Sequence, residues 1–200
     1  MNPTRSLILS AFVIALSFSS VAAQVRQRIP PPRDPQFYEP RNKLEEFETR
    51  LETVLIKGRT WVGTLRVNDG AARVEALEIR DAGNSTRAIG VLITIVPADQ
   101  NRPTSEIRSL VDYEEIDPLV KAFDFAARAD DKVTRLVNFE VRYRTKGGFE
   151  IVVFKQTTGG LAAAVEAGFI DRTRLLLTLD ELTKLRWMIA QAKEKLDELK

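Results

Sequence analysis

Residues Trp61–Val96 read WVGTLRVNDGAARVEALEIRDAGNSTRAIGVLITIV, and this stretch decides the fold class. Trp61–Val67 and Ala72–Arg80 are rich in β-branched and other apolar residues; Asn68-Asp69-Gly70 closes the first and Asp81-Ala82-Gly83-Asn84 the second. Gly and Asn tolerate positive φ, so both closing stretches suit tight reversals and the segment reads as a meander of antiparallel strands. Ala88–Val96 is apolar on both faces, as expected of a central strand.

Toward the N-terminus, Leu44, Phe47, Leu51 and Val54 recur at helical spacing with Glu45, Glu46 and Glu48 between them, which predicts a short helix over Asn42–Val54. Beyond the polar loop Pro97–Pro103, Ile107–Val111 reads as a short strand. A middle helix follows, with Ile116, Leu119, Val120, Phe123, Ala126 and Ala127 on one side. Two starts compete for it. Asp112 with Glu115 resembles a capping box, whereas Asp117-Pro118 supplies an N-cap with proline at the first helical position. A proline six residues into a helix costs about 3 kcal/mol, so entry at Asp117 is expected.

Val137, Phe139, Val141 and Tyr143 alternate with Asn138, Glu140, Arg142 and Arg144, the period of a half-buried strand. A two-residue turn at Gly147-Gly148 would set Val141 opposite Phe154, Tyr143 opposite Val152 and Glu140 opposite Lys155. Phe149, Ile151 and Val153 would then lie under the stems of Lys146, Arg144 and Arg142. Leu161–Ala167 and Arg174–Leu177 extend the sheet. Thr178-Leu179-Asp180-Glu181 is a capping box, and Leu182, Leu185, Ile189, Ala192, Leu196 and Leu199 form a stripe along the helix it opens. The expected fold is therefore α+β: an antiparallel sheet of about seven or eight strands with a short N-terminal helix, a middle helix and a long C-terminal helix, in a single domain over 42–200. The last stripe fits a helix packed on a sheet, and it also fits a structural homodimer through 180–199.

Met1–Arg5 is a short cationic start, and Leu7–Phe18 is an apolar run shorter than the roughly 20 residues that span a bilayer. With Val21 and Ala23 where a signal peptidase reads, residues 1–23 are expected to be a signal peptide cleaved before Gln24. No stable membrane span would remain after cleavage, and the product would be secreted or periplasmic. Residues 24–41 carry prolines at 30, 31, 32, 35 and 40 and read as an extended Pro-rich tether.

Composition narrows the chemistry. The chain has no Cys and no His, which removes disulfides, thiolate or imidazole zinc sites, and every imidazole-dependent nucleophile. Lys and Arg number 30 against 28 Asp and Glu, with no clustered basic stripe, so no nucleic acid is expected as partner. Asp112, Glu114, Glu115 and Asp117 are the densest acidic group. Oxygen ligands of this kind suit calcium or magnesium, and paired carboxylates suit a glycosidase-like hydrolase, but acids at a helix start are also what the dipole favours. No EF-hand pattern surrounds them, Gly147-Gly148 and Gly159-Gly160 lack the Lys-Ser/Thr of a phosphate loop, and no serine has Gly-x-Ser-x-Gly flanks. No catalytic, metal or cofactor residue is assigned. Trp61, Trp187, Asp112 and Glu115 are the candidate interaction surface, for an unknown protein or small ligand of the cell envelope.

The stretch Ser109–Phe123, the stretch Asn138–Glu150 and, loosely, Leu179–Leu196 resemble small exported bacterial proteins of unknown function. The resemblance implies a bacterial envelope setting and brings neither activity nor site residues. Together these readings point to an exported, non-enzymatic binding or interaction module, with a carboxylate-based hydrolase and a structural homodimer as the alternatives.

Overall fold

The structure, a computed structural model, describes residues 39–98, 106–130 and 132–200. The expected signal peptide 1–23 and nearly all of the expected tether lie outside the described residues. Residues 39–200 form one compact unit, and none of its described helices is long and apolar enough to cross a membrane. The order is helix α1 (Lys43–Glu48), strands β1 (Leu55–Val67), β2 (Gly70–Asp81), β3 (Arg87–Pro97) and β4 (Ile107–Asp112), then helix α2 (Tyr113–Ala127). Strands β5 (Glu140–Arg144), β6 (Glu150–Lys155), β7 (Leu161–Ala167) and β8 (Thr173–Leu177) follow, and helix α3 (Leu179–Asp197) closes the chain.

Among the described residues the fold is α+β with three helices, but the eight strands do not share one sheet: β1-β2-β3-β4 and β5-β6-β7-β8 are separate antiparallel meanders of four. The expectation of a single sheet fails at the connection between β4 and β5. The chain passes there through α2 and an irregular stretch, and β5 pairs with β6 alone. Each meander is followed by a helix, so one supersecondary unit occurs twice. The apolar positions of one face of both sheets close on α2 and α3 in a single core that includes Val74, Ile93, Phe123, Ile151, Val165 and Ile189.

Several boundaries move. Helix α1 ends at Glu48, not Val54, and β1 begins at Leu55, not Trp61. Leu51 and Val54 are mostly exposed, and Glu52 between them sits at φ 55°, a conformation that no α-helix running on to Val54 could contain. Val137 is 80% exposed and outside β5. Helix α2 starts at Tyr113, so Pro118 lies inside it and entry at Asp117 is incorrect. Tertiary anchors outweigh the proline penalty. The Asp112 carboxylate accepts the Lys43 and Leu44 N–H groups at 2.8 and 3.0 Å, and Glu115 accepts the N–H of Lys146 at 2.8 Å and of Asp112 at 3.4 Å.

The β5–β6 register also differs from expectation. Val141 pairs with Val153, Tyr143 with Ile151, Arg142 with Val152 and Glu140 with Phe154. The connecting loop has three residues, Lys146–Gly148, held by Thr145 N–H to Phe149 O at 2.8 Å and Gly148 N–H to Thr145 O at 3.1 Å. Gly148 takes φ 77°, the left-handed position that such a loop requires, and a Cβ on Gly147 would collide with the Leu110 carbonyl. One extra loop residue shifts the pairing by one and exchanges the faces of β6. Phe149, Ile151 and Val153 are therefore core, with Phe149 stacked on Phe123 of α2 at 6.4 Å.

Candidate functional site

The exchanged face creates the most unusual surface of the molecule. On the outer side of the second sheet, Arg144, Glu150, Glu166 and Arg174 lie in register across the four strands, a row of charge reading plus, minus, minus, plus. The next row is Arg142, Val152, Ala164 and Leu176, and beyond it come Glu140, Phe154 and Ala162. Two carboxylates directly opposite each other repel, so this arrangement needs counter-charge. Arg172, just before β8, supplies part of it by touching both Glu150, at 2.8 Å, and Glu166.

Glu150 is fully buried, and three guanidinium groups converge on it. Arg144 and Arg172 donate to its Oε2, while Arg142 lies 2.9 Å from Oε1 without an aligned hydrogen bond. Glu166 binds Arg172 and Arg174, the latter at 2.6 Å. Desolvating a carboxylate costs several kcal/mol, and Val152 and Ala164 in the adjacent row show that apolar side chains fit in this layer. The buried acids thus serve mainly to fix the arginines, whose own side chains keep 33 to 47% of their surface open. Four guanidinium groups face two buried carboxylates, and the partly exposed Glu140 engages one of them, Arg142, at 2.7 Å. The hydrogen bond that Arg142 donates to Glu140, and the charge of Glu150, hold Arg142 above its ordinary pKa.

Beside the charged row the face becomes apolar. Asn138, Phe139, Glu140, Phe154 and Arg174 line a depression of about 390 Å³. Phe154 is also a wall of a second depression of about 500 Å³, with Leu176 and Ala162 on its floor and the β1–β2 turn and the start of α3 at its rim. A surface that joins planar cationic donors to an aromatic and aliphatic strip can hold an anion attached to an apolar group.

The residues singled out from sequence lie elsewhere. Asp112 and Glu115 are brought together, but each accepts backbone N–H groups, and Asp112 is only 6% exposed. Glu114 instead pairs with Lys43 at 2.6 Å, and that hydrogen bond lowers the Glu114 pKa and raises that of Lys43. Among the described residues, no group of three or more acids is placed to hold a metal ion. Trp61 and Trp187 are 62 and 58% exposed and are not brought into one cleft. By register Trp61 shares the face of Leu77, against which α1 packs, whereas Trp187 is on α3, which packs on the opposite face. The stripe of α3 is buried in the protomer's own core, and only Leu199 is substantially open, at 38%. Sequence reasoning missed Glu150, Glu166, Arg172 and Arg174. The available signal was a lone Glu inside LAAAVEA, an apolar strand in which an unpaired charge has no place.

Glu150 and Glu166 are adjacent carboxylates of the kind a hydrolase needs, but both are engaged by guanidinium groups. No protein-family model matches the chain, and no curated protein or solved structure matches it either.

Proposed function

We propose that this chain is an exported, non-enzymatic binding module of the bacterial envelope whose ligand is an anion joined to an apolar group, held on the outer face of the second sheet. One observation carries the reading: four arginines are fixed by two buried carboxylates beside Phe139, Phe154 and Leu176, an arrangement that core packing does not require. Pre-organised guanidinium groups lose little freedom when they take a carboxylate or phosphate. The aromatic strip then contributes burial, at roughly 25 cal/mol per Å².

Thermal-shift titration with decanoate, decanol and decylamine below their micelle concentrations tests the site. Decanoate should give saturable stabilisation, decanol less and decylamine none, and Arg142→Ser with Arg174→Ser should abolish the decanoate response. Equal shifts from decylamine, or an unchanged response in the double variant, would remove the proposal. Export is tested separately: mass spectrometry of the natural product should find Gln24 at its start, in the envelope fraction.

A further inference from the structure

We propose a second surface, independent of the first: the edge of β1, which pairs only with β2 among the described residues, docks an extended acidic segment of a partner protein, which adds a fifth strand to the first sheet. β1 is an edge strand of 13 residues, whereas β5 and β8, the edges of the second sheet, have five each. Proteins commonly shorten or cover such edges because the unpaired N–H and C=O groups recruit another strand. From Leu55 to Trp61 the strand pairs residue for residue with β2, and only past Trp61 does an irregularity interrupt the ladder. Ile56 through Trp61 are exposed, and a Cβ on Gly58 would meet no heavy atom within 4 Å.

Charge identifies the occupant. Leu55–Val67 contains no Asp or Glu, and Lys57, Arg59 and Arg66 project from one face together with Trp61. Lys57 pairs with Glu48 at 2.6 Å. Arg59 and Arg66 make no ion pair with any described residue. A second copy of this chain paired about Gly58 would set Lys57 opposite Arg59, and like charges directly opposite are destabilising. A strand with acidic residues at alternate positions instead gains both the ladder and the pairing, as in strand-addition recognition.

The test uses the purified protein and a fluorescein-labelled decapeptide alternating Glu and Val, read by polarisation. Two controls accompany it: the same peptide with Lys for Glu, and one in which two of the valines are proline. The Glu–Val peptide should bind, the Lys peptide should not, and the proline peptide should bind at least about tenfold more weakly because it cannot complete a ladder. Arg59→Glu with Arg66→Glu should also weaken binding by about tenfold or more, with circular dichroism and melting unchanged. Arg142→Ser with Arg174→Ser should leave this binding intact. Equal binding of the Lys or proline peptide, an unaffected charge-reversal variant, no binding at millimolar peptide, or self-association of the protein through β1 would each overturn the proposal.

Discussion

The two halves of the folded region use one plan and differ in how they cover the sheet's second face. Both are four-stranded antiparallel meanders followed by a helix, and both turn one face to the common core. The first sheet is the larger, with strands of 13, 12, 11 and 6 residues, and α1 covers part of its outer face. Leu44 and Phe47 of α1 pack there against Leu77, Ile79, Leu92 and Leu110. The second sheet has strands of only five to seven residues, and on its outer face ion pairs take the place that α1 holds on the first. A hydrophobic cover stabilises by removing apolar area from water, whereas a buried ion ladder contributes little net stability and much geometric definition. The contrast is one of cover: α1 buries apolar side chains on the first outer face, and an ion ladder occupies the second.

The largest effect should follow removal of the hydrophobic cover. Leu44 is fully buried, and Leu44→Ala should lower stability by about 3 kcal/mol in a urea or thermal melt. On the second sheet, Glu150→Gln leaves the arginines without their counter-charge and should cost about 2 kcal/mol. The informative companion is Glu150→Val with Glu166→Val, which should return to within about 1 kcal/mol of the parent, because the desolvation of both carboxylates disappears with them. A double variant much less stable than Glu150→Gln would show that the ladder is structural and would erase the contrast between the two faces.

A smaller change is expected from Asp112→Ala. It removes the carboxylate that accepts the first N–H groups of α1, at Lys43 and Leu44, and should cost about 1 to 2 kcal/mol without altering the decanoate response. The smallest effect lies where α2 meets the end of α3. The hydroxyl of Tyr113 donates to Asp197, and Lys193 pairs with Asp197 at 3.3 Å. These contacts, the Tyr113 hydrogen bond foremost, lower the Asp197 pKa. Their contribution is therefore complete above the ordinary carboxylate pKa and disappears as pH falls through the lower folded value. The melting-temperature gap between the parent and Tyr113→Phe should narrow as pH drops below about 4, and a gap independent of pH would remove this assignment.

By itself the sequence determined the local events: the existence of three helices and of about seven or eight strands in the described region, and the capping box of α3. Thr178 and Glu181 exchange their bonds as the pattern implies, at 2.8 and 3.2 Å, because both partners lie within one helical turn. Hydrophobic period likewise identified the core side of α3, whose stripe from Leu182 to Leu196 is buried. Contacts between distant segments decided the rest. The division into two sheets, the one-residue shift set by a three-residue loop and the helix start at Tyr113 depend on long-range partners such as Lys43, Leu110 and Lys146. The candidate site belongs to that second class: Arg142, Glu150, Glu166 and Arg174 come from four strands, and only the pairing register puts their side chains on one face.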